Sequence, residues 1–406
     1  MAIDPNQLRT EFPGLEGTAN GKPFVYLDSA ASAQKHRSVI DRMDRFLRTE
    51  YGTVHRGLYA RSVLSTQLYE QARISVARFI NAGSEREVVF TSGCTDAINL
   101  VAWSWGRQNL KPGDRVLVTG MEHHADIVPW QITSAITGAE LVAAPLNDDG
   151  SLDLAAFDGL LDERVKLVGC THIANALGTI NPVKELCAKA HRVGARFLID
   201  AAQSAPHLPL DVRDLDCDFL AFAGHKLYGP TGIGVLYAKG ELLESMPPWR
   251  GGGEMIDKVT FARTTYAPPP ARFEAGTPPF VEAIGLATAC DWLRGLGMAA
   301  VHAAEQELFA YAEARLGEIA GLRRIGTAPA RSTVLAFTMD SAHPADIANI
   351  LDLEGVAIRA GHHCAQPVME RFGVTATARA SLGIYSTRAD IDQLVTGLRT
   401  VARLFG

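Results

Sequence analysis

An α/β fold built on a mostly parallel sheet, followed by a second and smaller unit, is what the sequence predicts, and three observations carry it. Short apolar runs alternate with helical stretches from about residue 86 onward. Two of those runs deliver single charged groups at their ends, Asp200 and Lys226. A stretch rich in proline and glycine over 247–270 then breaks the pattern before helical periodicity resumes.

In order, residues 87–91 read as a strand, 95–105 as a helix, and 115–119 and 165–170 as strands. Pro182 opens a helix over 182–193 and Gly194 ends it, the expected asymmetry of helix termini. That helix feeds a strand over 195–199 that stops on Asp200. Another apolar run, 218–222, leads into 223–230. Residues 247–270, with Pro247-Pro248 and Pro268-Pro269-Pro270, read as an irregular excursion. Helices over 281–296 and 299–319, a strand over 333–337, and helices over 344–354 and 388–404 complete the second unit.

A chain of 406 residues, 47% apolar and 21% charged, is long enough for two cores and too apolar for bulk disorder. Its net charge of -6, with both signs interspersed, leaves no basic footprint for nucleic acid or an anionic membrane, so a small metabolite is the expected partner. No apolar run approaches the roughly 20 residues of a membrane span, and residues 1–7 lack an export pattern, so a cytoplasmic location is the expectation. The six cysteines lie apart without C-x-x-C spacing, so five are expected to act as small apolar residues in a reducing compartment.

The sharpest chemistry is the segment Ala223-Gly224-His225-Lys226. A lysine turned out of an apolar strand, with no acidic neighbour, sits where desolvation exposes a nucleophilic amine. Asp200 ends another apolar strand. A Schiff-base lysine and an aspartate that keeps a pyridinium nitrogen protonated are the two protein groups that pyridoxal phosphate (PLP) chemistry needs. Ser92-Gly93-Cys94-Thr95, between a strand and a helix, offers free N–H groups to an anion and is the best phosphate cup in the chain; an ordinary cap by Thr95 is the plain alternative. Glu122-His123-His124 follows the next strand. An imidazole there suits ring stacking or proton transfer, whereas Glu122 and the pairs His123-His124 and His362-His363 keep a metal-binding or scaffold reading open, without zinc-hydrolase spacing. Cys364 lies in a glycine-containing loop with two imidazoles and Arg359, an electropositive setting that favours a thiolate.

With Asp200-Ala201-Ala202-Gln203, Gly224-His225-Lys226, Glu122-His123-His124 and Arg359-Ala360-Gly361-His362-His363-Cys364 together, the chain resembles the group II cysteine desulfurases, SufS type, from Tyr26 to the C-terminus. The resemblance implies an aspartate-aminotransferase-like fold (fold type I). Its large domain would hold a mostly parallel seven-stranded sheet and its small C-terminal domain would be α+β. The expected divisions are an N-terminal segment 1–25 packing with the small domain, a PLP-binding domain 26–265, and a domain 266–406 carrying the cysteine loop. It further implies a homodimer that converts L-cysteine to L-alanine through a persulfide and supplies sulfur for iron–sulfur cluster assembly.

Carried onto matching positions, the resemblance has Lys226 hold PLP and move the Cα proton, with Asp200 on the pyridine nitrogen, Gln203 on the ring hydroxyl and His123 stacked on the ring. Thr95, Cys94 and His225 fall at the phosphate, Thr277 reaches across the dimer, and Asn175, Arg379, Arg359 and His55 serve the substrate. Cys364 attacks the substrate sulfur, and no metal is implied. Ala223 and Cys94 stand where hydroxyls are common, which points to fewer phosphate contacts. Ala345 stands where relatives served by a zinc-bearing SufU partner tend to have a second histidine, favouring a SufE-like acceptor. Selenocysteine lyase activity is a close chemical variant. An aminotransferase or kynureninase-like lyase would leave Cys364 without a task.

Overall fold

The computed structural model describes residues 3–405. Seven strands form the central sheet: β1 (Val88–Thr91), β2 (Arg115–Thr119), β3 (Glu140–Ala144), β4 (Val165–Thr171), β5 (Arg196–Asp200), β6 (Phe219–Ala223) and β7 (Gly234–Ala238). They lie in the order β1-β7-β6-β5-β4-β2-β3. β7 runs antiparallel to both neighbours and every other pair is parallel. Alternate residues feed two cores: Phe197, Ile199, Leu220 and Phe222 pack into one, Leu198, Phe219, Ala221 and Leu236 into the other. Burial on both faces explains why β6 reads as an unbroken apolar run.

Several elements differ from expectation. The helix expected over 95–105 begins at Cys94, runs to Val101 and continues through a π turn, Ala102–Gly106. The excursion over 247–270 is not wholly irregular, because Ile256–Val259 and Thr264–Tyr266 pair as an antiparallel ribbon with Phe261 fully exposed between them. Helix Phe280–Leu296, expected beyond a divide at 265–266, packs on Arg37–Arg45 and Ala60–Phe79 and adds Ala283, Leu286 and Cys290 to the first unit's core.

The second sheet is antiparallel. Its strands β8 (Leu322–Ile325), β9 (Val334–Met339), β10 (Arg359–Gly361) and β11 (Thr377–Ser381) lie in the order β8-β9-β11-β10. Its core gathers Leu335, Phe337, Ala378 and Ala380 with side chains of helices Met298–Leu316, Pro344–Leu353 and Arg388–Phe405. The chain start is tied to this unit: Val25–Tyr26 pairs in parallel with Val356–Ala357, and Arg9 reaches Asp390 at 3.1 Å. Among the described residues no helix is long and apolar enough to cross a membrane.

Candidate active site

One cavity of about 540 Å³ opens where the carboxyl ends of the parallel strands meet the second unit. That is where open α/β sheets place ligands. The end of β1 contributes Ser92 to Asp96, β2 leads to His123, β4 to Asn175, β5 ends on Asp200, and β6 runs into Lys226. The second unit closes the cavity with Arg359, His363, Cys364 and Arg379. Lys226 and Cys364, 138 positions apart (364 minus 226), therefore share one cavity.

Lys226 ends a tight 3-10 turn, Gly224–Lys226. Gly224 is required there, since a Cβ would come within 2.9 Å of Ile233 and 3.0 Å of the Pro230 carbonyl. The carbonyl of His225 accepts from Ala33 N–H at 3.0 Å and Lys35 Nζ at 2.9 Å, fixing the turn from the far end of the chain. Burial holds Lys35 down to about 8. Among the described residues Nζ of Lys226 has neither hydrogen bond nor ion pair, and burial lowers its pKa against the opposing pull of Asp200.

Asp200 Oδ1 accepts from Ala202 N–H at 2.8 Å and from the Cys94 thiol at 3.4 Å, which leaves Oδ2 unpaired on the cavity wall. Cys94 thus serves the aspartate, and burial raises its thiol pKa far above normal. The Gln203 amide donates to the Ala30 carbonyl at 2.7 Å. His123 Nδ1 accepts from Ala125 N–H at 3.0 Å, so the neutral ring carries its proton on Nε2, and burial takes it down to about 4. Beneath it Glu122 and Asp126 are buried with one oxygen each unpartnered; the other oxygen of Glu122 accepts from Thr171 N–H at 2.9 Å and that of Asp126 from Trp130 at 2.7 Å. Burial raises both carboxyl pKa values; the Asp126 charge adds to the rise at Glu122 and the Asp200 charge to that at Asp126, favouring the protonated forms.

At the opposite end, the helix from Cys94 has no side-chain cap on its first N–H groups, and Gly93 meets open space where a Cβ would point. Free N–H groups beside Thr95 and His225 make an anion cradle. Gly234 backs it: a Cβ there would collide with the Gly93 backbone at 2.4 Å. Ala223 lines the same wall. A free buried amine, a carboxylate oxygen without a partner among the described residues and an anion cradle in one cavity suit PLP.

The remaining side of the cavity is built mainly from the second unit. Arg379 is almost wholly buried; it donates to the Asn175 carbonyl at 3.0 Å and to Asp28 at 3.3 Å, and burial lowers it to about 10. Arg359 grips the same Asp28 at 2.9 Å. Asn175 Nδ2 donates to the His363 carbonyl at 2.6 Å. His363 and Cys364 both adopt left-handed backbone, φ 54, a strain of about 1–3 kcal/mol each for residues with a Cβ. Burial takes His363 down to about 3. Cys364 is exposed and the other five cysteines are buried.

His55 and Thr277 lie outside this cavity. His55 contacts Glu254 at 3.2 Å and Glu70, and Thr277 is exposed. Sequence reasoning missed Lys35 and Asp28, whose partners are 190 and more than 330 residues away, and no local signal marks them. Among the described residues no group of three or more histidine, cysteine or acidic side chains converges as a metal site.

Residues 25–394 match the family described as aminotransferase class-V. A cysteine desulfurase of Pectobacterium carotovorum subsp. carotovorum is 50% identical over 407 residues, covering the whole of both chains. A cysteine desulfurase of Synechococcus elongatus is 48% identical over 99% of this chain, which spans 64% of that protein. The crystal structure of the cysteine desulfurase CsdA (S-sulfonic acid) from Escherichia coli superposes with a TM-score of 0.93 at 39% identity, covering 100% of both chains. A lysine-bearing sheet edge, the cradle opposite it and a match over nearly the whole length agree: this chain belongs to the aminotransferase class-V family.

Proposed function

We propose that this chain is a PLP-dependent cysteine desulfurase of group II, SufS type, which converts L-cysteine to L-alanine and leaves one sulfur on Cys364. The observation that carries the reading is the shared cavity of Lys226 and Cys364, the latter exposed where five other thiols are buried.

Lys226 Nζ would anchor the cofactor, with Asp200 Oδ2 serving its pyridine nitrogen, Gln203 its ring hydroxyl and His123 its ring face. Thr95, His225 and the helix end at Cys94 would hold its phosphate. When bound, PLP supplies an electron sink for bonds broken at the substrate α-carbon. Arg379 and Asn175 hold the substrate carboxylate, a task suited to a planar guanidinium, while Arg359 fixes Asp28 beside them. Lys226 moves the Cα proton. The Cys364 thiolate attacks the substrate sulfur, so a new S–S bond forms as the C–S bond breaks. The electron pair of that bond stays with the carbon fragment, which takes up protons and leaves as alanine.

The protein is proposed to act as a cytoplasmic homodimer, in which a second copy supplies Thr277 and His55. Exposed Leu58, Tyr59 and Val63 next to His55 support such an interface. The divide between a large cofactor-holding unit and a small unit bearing the cysteine loop is proposed to follow the packing, after helix Phe280–Leu296. A SufE-like acceptor, feeding iron–sulfur cluster assembly, is favoured over a SufU-like one. His343 Nδ1 caps Ala345 N–H at 3.2 Å and Ala345 offers no second imidazole. Mass spectrometry after incubation with L-cysteine tests the reaction. One added sulfur on Cys364 with matching alanine is expected, and alanine without that sulfur overturns it.

A further inference from the structure

The cysteine loop is strained, short and exposed, yet it lies against the sheet wall. One residue of that wall, His124, holds it at two points. Its backbone N–H donates to the Cys364 carbonyl at 2.8 Å, and its ring Nε2 accepts from Gln366 N–H at 3.1 Å. Gln366 opens the helix Gln366–Arg371, so its N–H has no partner within that helix. The loop's own bond, Cys364 N–H to His362 Nδ1 at 3.2 Å, shapes the turn without tying it to the wall. Asn175, through the His363 carbonyl, is the other wall contact, and its amide belongs to the substrate end.

We propose that His124 is a positioning residue that latches the Cys364 loop over the cavity, presenting the thiol to the substrate sulfur, and that protonation of its ring opens the latch. This rests on the reading of Cys364 as the sulfur-accepting group. The latch needs Nε2 as an acceptor; a second ring proton would meet the Gln366 N–H head on. The titratable groups facing the ring are His362, with ring centres 5.8 Å apart, and Cys364 from the loop, His123 at 6.3 Å from its own turn, and Asp126 beneath that turn. His124 makes no ion pair among the described residues. Burial and the neighbouring His362 lower its pKa below that of a free imidazole, so the latch is closed at neutral pH and opens on the acid side.

The test reads the loop without turnover. The holoenzyme is treated with 4,4′-dithiodipyridine, which labels thiols in acid as well as neutral solution, and the five buried cysteines give a slow background. His124→Ala should label Cys364 about five-fold faster than wild type, the change expected of one lost hydrogen bond. Its kcat for alanine should fall with KM for L-cysteine unchanged. His124→Gln, whose amide oxygen accepts at the same reach and does not titrate, should restore slow labelling at neutral pH and lose the acid-side acceleration that wild type shows. Equal labelling of wild type and His124→Ala overturns the latch; if that variant does not fold, identical pH profiles for wild type and His124→Gln overturn it. Absence of sulfur on wild-type Cys364 would sink the reaction instead and leave the labelling result standing.

Discussion

The two halves of the cavity are made differently. The wall that carries Lys226 and Asp200 is the carboxyl edge of a seven-stranded sheet whose central strands are buried on both faces. The wall that carries Cys364 is a loop after a three-residue strand, with two successive left-handed residues and an exposed thiol. Chemistry at the α-carbon needs fixed geometry between cofactor and base, which sheet ends provide. A sulfur carrier must first reach inward for the substrate and then present its load outward, which favours a loop that can be held or released.

The largest effect should come from breaking the rigid wall. Lys226→Ala should abolish turnover and leave no covalently held cofactor after borohydride reduction, because among the described residues Lys226 is the one lysine lining the cavity. Covalent cofactor surviving in that variant would remove the assignment. Breaking the loop wall instead should divide the reaction. Cys364→Ala should keep cofactor and still bind L-cysteine, with alanine and persulfide both falling to near background, whereas Cys187→Ala or Cys290→Ala should cost only stability, since both thiols are buried in helices. Near-normal alanine from Cys364→Ala would restore an aminotransferase or lyase reading.

A smaller effect concerns the protonated carboxyls beneath the sheet edge, for which the loop has no counterpart. Burial raises Asp126 from 3.8 to about 8 in the folded chain. Below 3.8 both folded and unfolded forms hold the proton and nothing is lost. As pH rises the unfolded form releases it first, so the folded state is increasingly disfavoured until about 8, and the penalty is constant above. Asp126→Asn keeps an acceptor for Trp130 and removes that penalty. Its stability advantage in urea melts should grow from acid to mildly alkaline pH and then level off; a flat difference would show that Asp126 is already ionised. Smallest is Ala223→Ser, which adds one hydroxyl to the cavity wall and should tighten PLP by about 1 kcal/mol. Cofactor retention during dialysis measures it, and no change would mean that the helix end at Thr95 already satisfies the phosphate.

The rigid wall was the more legible half. β5 and β6 announce themselves as apolar runs, and their terminal Asp200 and Lys226 are single charges in apolar surroundings, a contrast that survives in one dimension. β3 escaped because it is an edge strand, half-exposed and rich in alanine, and β7 because its apolar run follows a Gly-Ile-Gly turn that reads as loop. In the second unit β10 has three residues and no periodicity to read. The polar supports were invisible for another reason. Lys35 on the His225 carbonyl, Cys94 on Asp200 and His124 on Gln366 are contacts between distant segments, whose register only the packed fold sets.

Asp28 shows what such distances mean while the protein is being made. Its two arginine partners lie 331 and 351 residues downstream. A ribosome has therefore released the whole sheet edge before the aspartate can meet either arginine, both of which lie in about the last eighth of the chain. A nascent chain halted short of Arg379 would own the lysine wall without the guanidinium proposed to seat the amino acid, so the amine is completed early and the proposed seat only as synthesis nears its end.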